Sequence, residues 1–255
     1  MTAYNYDIIY LAPLTKNKIY MNLLTKIWRN RWIFRSIFST IYFNFHYLPL
    51  KQAVHLPILL YKPHLLEMKG GVKICKSGGV RFGMIILGKY NVPLYPNSGI
   101  TFQNRGGEIV FRGECSIGNA SVISVGEKGH IDIGANFSAT TSLKLVSFHK
   151  ITFEENVLIG WNNTICDTDF HQLTLVESTN IIPAYAPVLI RKNCWLAQNC
   201  IVQKGTELPS YCVAATNSLL NKKYGIPSKS LIAGQPAVLK KTGIYRDCKN
   251  DKVIY

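Results

Sequence analysis

Between residues 190 and 220 an apolar or small aliphatic side chain returns at every sixth position: Ile190, Leu196, Val202, Leu208, Ala214 and Leu220. The fifth place of the same frame holds Cys194, Cys200, Thr206, Cys212 and Ser218, all small, which marks a second column facing a confined interior. Upstream the frame recurs as Phe111, Ile117 and Ile123, then as Phe153, Ile159 and Ile165, with Cys115 and Ser121 in the fifth place. A step of six is neither the period of a helix nor the alternation of a half-buried strand. It suits a coil with three flat sides that each consume one hexad, so the chain is predicted to wind as a parallel β-helix. Each rung stacks its aliphatic residue on the next and buries a column that no single rung could bury alone. The phase slips between Ile133 and Phe153 and again between Ile165 and Ile190, which predicts loops leaving the coil.

Residues 1–68 have a different character, with eight Lys or Arg against two acids and a dense aromatic and aliphatic stretch from Leu23 to Phe45. Leu24, Ile27, Trp28, Phe34, Phe38 and Ile41 recur at helical spacings, with Arg29, Arg31 and Arg35 among them, until Pro49 and Pro57 end the pattern. Such a helix can lie on an anionic membrane with its arginines toward headgroups. It can equally cap the main domain, and the need to cover the open end of a repeat structure favours the cap. The apolar run from Ser36 to Leu50 is shorter than the roughly 20 residues a membrane span needs. The expected organisation is an N-terminal helical segment over 1–68, connecting strands and turns over 69–99, a β-helix over 100–236 with a loop at 172–186, and a tail over 237–255. The fold class is all-β dominated with an N-terminal α-helical segment.

Apolar residues make up 47% of the 255, enough to fill a core of that size. The 29 Lys plus Arg against 14 Asp plus Glu leave a net charge of +15, which favours an anionic partner: nucleic acid, anionic lipid or a phosphorylated cofactor. The cations are dispersed and no nucleic-acid-binding motif accompanies them, so nucleic acid is the least favoured of the three. Seven cysteines are odd in number and form no C-x-x-C pair, which argues against a disulfide framework or a zinc ribbon and for a reducing compartment. The apolar run Ile8 to Leu14 contains Pro13, follows Asp7 and has no basic residue before it, unlike a secretory signal. The expected location is the cytoplasm, with peripheral contact at the inner face of a membrane left open. The N-x-[ST] strings at Asn119, Asn136 and Asn162 carry no weight in that setting.

The hexads stand together with a D-T-D-F-H segment at 167–171, Trp195 and A-G-Q-P-A at 233–237. In these features the chain resembles the hexapeptide-repeat acyltransferases, most of all the enzymes that acetylate sugar hydroxyls. The match covers about residues 100–240. The resemblance implies a left-handed coil, a homotrimer, acetyl-coenzyme A as donor, a saccharide acceptor, and active sites in grooves between subunits. Hand and trimer do not follow from spacing, and a left-handed crossover departs from the usual rule. His171 is then the general base, since imidazole titrates near neutrality and the reaction needs a proton acceptor on the attacking hydroxyl. Asp169 shares a face with the histidine in an extended segment and could hold its other ring nitrogen, as could a backbone carbonyl; Asp167 or Asp169 could equally accept backbone bonds at the turn. Trp195, 24 residues beyond His171, projects from the coil and borders the donor groove in similar enzymes. Ala233, Gly234, Gln235 and Pro236 match the family's closing turn beside the donor, with Lys222, Lys223, Lys240 and Lys241 nearby for phosphates. The loop glutamate and the earlier asparagine that some relatives use have no secure counterparts, so the acceptor sugar stays open.

Two other functions compete. A zinc carbonic anhydrase on a similar coil needs three imidazoles, and His130, His149 and His171 lack the close pair that family shows, so no metal site is expected. A non-enzymatic membrane-associated scaffold is motivated by the basic, aromatic amino terminus.

Overall fold

The computed structural model describes residues 31–90, 92–178, 180–248 and 250–251. The earlier part of the expected helix, with Leu24, Ile27 and Trp28, lies outside the described residues. From Ile58 onward the chain winds through three parallel sheets, here called faces A, B and C, visited in that order once per coil. Face A begins with Ile58–Leu60, face B with Pro63–Met68 and face C with Gly71–Ile74.

The predicted hexad column is seen residue by residue. On face A the register stacks Leu87, Ile117, Ala139, Ile159, Leu196, Ala214 and Ile232. Face B stacks Phe102, Ile123, Leu145, Ile165, Val202 and Leu220, and face C stacks Ile74, Phe111, Ile133, Phe153, Ile190 and Leu208. All are buried, as are Cys194, Cys200, Thr206, Cys212 and Ser218 in the fifth place. The strands are short because each side of the prism takes only one hexad, so the burial comes from stacking coils and not from any one strand.

Between the sides the chain must turn sharply, and a residue with positive φ serves most corners. Asn193, Asn199, Gly205, Tyr211 and Asn217 occupy this conformation at steps of six, and upstream the pairs Asn136 and Ser142, then Asn156 and Asn162, do the same. Asparagine tolerates the left-handed region better than other non-glycine residues. Its amide then bonds the corner above: Asn136 Nδ2 donates to Asn156 Oδ1, and Asn162 Nδ2 to Asn199 Oδ1, each at 3.0 Å.

The coil starts well before residue 100. Ile58–Leu60, Pro63–Met68, Gly71–Ile74 and Ile85–Lys89 are already in register with later rungs, so 69–99 is part of the β-helix and not a connector. Long corners at 75–84 and 90–99 and bulges after Leu65 and Leu87 break the hexad there. At the other end Ala237–Thr242 pairs antiparallel with Ser230–Gly234, closing the coil with a hairpin where a tail was expected.

A 3₁₀ turn (Arg31–Ser36), helix α1 (Ile37–Tyr47) and the short α2 (Leu50–Ala53) lie across the first rung. Asn44 receives the N–H of Ile58 and donates to its carbonyl at 2.7 Å, Thr40 Oγ1 receives the N–H of Leu60, His46 Nε2 meets Met68 O, and Gln52 Nε2 donates to Ile74 O. Those partners belong to all three faces, so the helix caps the prism's mouth and satisfies backbone groups that would otherwise be orphaned. Among the described residues no helix is long and apolar enough to cross a membrane.

Candidate active site

After Thr164–Cys166 on face B the chain leaves the coil at the B/C corner and returns at Val188–Ile190 on face C. Its root is Asp167, which is fully buried. The carboxylate accepts the Ser147 hydroxyl at 2.7 Å, the Phe148 N–H at 2.8 Å and the His149 N–H at 3.0 Å, all from the corner of the preceding coil. A buried charge persists only when so compensated, and charge-assisted bonds of this kind are the strong ones. Asp167 thus fastens the loop to the rung beneath it. The excursion closes through Asp169 N to Ala184 O at 2.8 Å and Ala186 N to Asp167 O at 3.1 Å, and a small antiparallel ribbon joins Leu173–Thr174 to Ile181–Ile182 farther out.

Asp169, the second aspartate of the segment, accepts Lys204 Nζ at 2.7 Å, and the same ammonium donates to Pro183 O at 2.6 Å. One lysine therefore staples both limbs of the loop to the following coil. Among the described residues no hydrogen bond joins either aspartate to the imidazole of His171; the single chain uses Asp167 at the root and Asp169 at the staple.

Phe170 adopts φ +61°, unusual for a bulky residue, with its N–H on Thr168 Oγ1 and its ring edge-on to Phe148 at 5.0 Å. The strained turn throws the next residue, His171, onto the exposed edge of the corner. His149 lies one coil below, its ring 4.7 Å from that of Tyr185 on the returning limb and tilted to it by 40°, and His130 lies below that, beside Glu108. Among the described residues no three His, Cys, Asp or Glu side chains are placed to share a metal ion.

Trp195 stands elsewhere. It lies on the outer side of face A between Leu158 and Val213, partly exposed, beside a cavity of about 410 Å³. Val213, Leu231, Ile244, Tyr245 and Arg246 are also in its lining, so the segment after the closing hairpin folds back to form one wall. Ala233, Gly234, Gln235 and Pro236 form the hairpin tip: Gly234 has φ +108°, and Gln235 Nε2 donates to Asn217 O at 2.9 Å. Of the four nearby lysines, Lys223 is paired with Glu207 and Lys222 lies over the Tyr224 ring, while Lys240 and Lys241 are exposed. The prism therefore carries His171 at the B/C corner and Trp195 on face A.

The seven cysteines are free thiols. Burial pushes Cys194 up to about 12 and raises Cys115 further, so these thiols act as small core residues and not as nucleophiles. The residues that composition and spacing did not single out are Lys204 and Ser147. The Lys204 staple was not legible in the sequence, because its partners lie about 20 and 35 residues away.

No protein-family model matches the sequence. The galactoside O-acetyltransferase of Escherichia coli (strain K12) is 27% identical over 107 residues, which are 42% of this chain and 51% of that one. The chain thus spans about half the length of that curated relative. The solved structure of the polySia-specific acetyltransferase NeuO superposes with a TM-score of 0.51 at 16% identity, covering 76% of this chain and 92% of that one. A hexapeptide-repeat-containing acetyltransferase from Vibrio cholerae O1 biovar eltor, solved with acetyl-coenzyme A, covers 82% of this chain and 85% of its own at 13% identity, with a TM-score of 0.33. The three-sided coil and the likeness to NeuO give the fold as a left-handed parallel β-helix.

Proposed function

We propose that this protein is an O-acetyltransferase that moves an acetyl group from acetyl-coenzyme A to a saccharide hydroxyl, with His171 as general base. The observation that carries the reading is the clamped loop: a buried aspartate, a lysine staple and a strained phenylalanine together hold one imidazole outward at a corner of the coil. Such rigid presentation is what positioning catalysis requires. The similarity to a galactoside O-acetyltransferase supports the acetyl group and the sugar class.

The cavity beside Trp195 fits the donor. Trp195, Val213, Leu231 and Ile244 give it an apolar wall suited to a pantetheine arm; Arg246 on its rim is paired with Asp251, and Lys240 and Lys241 on the adjoining hairpin strand are the exposed cations for phosphates. Ala233 to Pro236 would lie along the same donor. Acetyl-coenzyme A, when bound, supplies the acetyl group as an activated thioester. His171 takes the proton from the acceptor hydroxyl as its oxygen attacks, and later returns it to the departing sulfur. Asp169 acts through Lys204 by holding the loop, as a positioning residue. The separation of His171 and Trp195 on one prism supports a homotrimer in which the imidazole of one copy faces the donor wall of the next. Such a donor and the free thiols both suit the cytoplasm.

The test is thiol release from acetyl-coenzyme A with galactosides, nucleotide sugars and lipid-linked glycans as acceptors. Replacing His171 by Ala is expected to lower turnover about a hundredfold or more with the fold intact, since the side chain is exposed. Unchanged turnover in that variant overturns the assignment.

A further inference from the structure

Helix α1 has its polarity reversed. Thr40 and Asn44 face the coil, where their side chains bond rung one, and Phe43 and Tyr47 pack beside them against Phe102. The opposite side presents Phe38, Ile41, Tyr42 and Phe45 to the outside together with Phe34 of the preceding turn, Phe38 with 85% of its surface free, and Leu50 of α2 and Val54 just after it continue the patch. A contiguous exposed apolar face of this kind marks an interaction surface, and this one lies at the end of the molecule with nothing above it among the described residues.

Charge identifies the occupant. From Arg31 to Leu66 there are four Lys or Arg and no Asp or Glu, and from Ile8 to Leu66 there are eight and none. Arg35 and Lys51 flank the aromatic stripe. A second copy on this face would set these cations against their own images, and residues 1–30, with Lys16, Lys18, Lys26 and Arg29, would add to the same excess. An anionic bilayer accepts both features: aromatic side chains enter the headgroup boundary while the flanking cations meet lipid phosphates.

We infer that the outward face of the N-terminal cap is a docking surface for anionic lipid, with Phe34, Phe38, Ile41, Tyr42 and Phe45 as its inserting edge. The coil axis then stands on the membrane. Face B climbs four steps from Pro63–Met68 to the strand preceding the loop, about 20 Å at roughly 4.8 Å per step. His171 would thus be held above the surface, within reach of glycans attached to lipid.

The experiment is vesicle co-sedimentation of the full chain at about 0.1 M salt, with phosphatidylcholine alone or mixed equally with phosphatidylglycerol. Binding at least tenfold tighter to the mixed vesicles, weakening as salt is raised, is the expected result. Phe38→Ser with Phe45→Ser should reduce it tenfold or more while thermal denaturation and coenzyme A binding stay as in the parent chain, because both side chains are exposed. Failure of the parent chain to sediment with mixed vesicles, or equal sedimentation of the double variant, overturns the inference. A change of oligomeric mass in the variant without vesicle binding would assign the face to a second copy and overturn it as well. No acetyl transfer is read, so failure here leaves the enzymatic reading standing.

Discussion

Two aspartates two residues apart do different work, and their surroundings explain the division. Asp167 is fully buried and accepts three donors from the rung beneath. Asp167→Asn replaces one carboxylate oxygen by an amide that faces a donor, and a hydrogen bond to a charged group contributes about 1.5–3 kcal/mol. The variant is expected to melt several degrees lower, at about 2–4 °C per kcal/mol for a domain of this size, and to lose turnover as the loop root slips. The Asp169–Lys204 pair is partly exposed, so its net contribution to stability is about 0–1 kcal/mol. Lys204→Met should leave the melting temperature nearly unchanged yet lower kcat severalfold with the donor KM unaltered, because only the presentation of His171 suffers. A raised donor KM with kcat intact would contradict the staple. The motif D-T-D-F-H drew attention to the root of the loop, but not to which carboxylate does what. That choice rests on Ser147 and Lys204, which are distant in sequence and reach the loop only once the coil is wound.

At the scale of the element, the corner sets stability as much as the side does. The paired corner asparagines Asn136 and Asn156, and Asn162 and Asn199, combine a left-handed backbone with an amide bond to the neighbouring corner, and placing an ordinary L-residue in that conformation costs about 1–2 kcal/mol. Asn199→Ala should therefore destabilise by about that much, while Asn199→Gly, which relieves the backbone, should cost less; denaturant midpoints give the comparison. Equal losses from the two would mean that the side-chain ladder, and not the backbone, holds the corner. The hexads of 153–220 were legible because short strands and tight corners leave one inward aliphatic residue in every six. The first two coils were not, since their longer strands, bulges and wide corners at 75–84 and 90–99 shift the phase. The N-terminal cap was legible as a helix. Its reversed polarity was not: Thr40 and Asn44 read as polar surface until the orphaned backbone of the first rung requires them inside.

At the scale of the whole molecule, the placement of the proposed site residues decides how such a site would be assembled. Face C carries a ladder of ion pairs on its outer side, including Arg112 with Asp132 and Arg191 and Lys223 with Glu207, which suits a solvated surface. His171 stands at one edge of that face, and Trp195 lies around the prism on face A. If each site combines the histidine of one copy with the tryptophan of another, inactive variants must complement. Equal amounts of His171→Ala and Trp195→Ala chains, unfolded together and refolded, assort at random. A given site then draws an intact histidine with probability about one half and an intact tryptophan, from a different chain, with probability about one half, so activity should return to about a quarter of the parent level. The assay belongs at donor concentrations below KM, where loss of Trp195 weakens binding most. Chains that carry both residues of a site within themselves cannot complement, because every site would contain one defect. Recovery no greater than the mean of the two parent variants would therefore place the site on a single prism, and the shared groove would have to be abandoned.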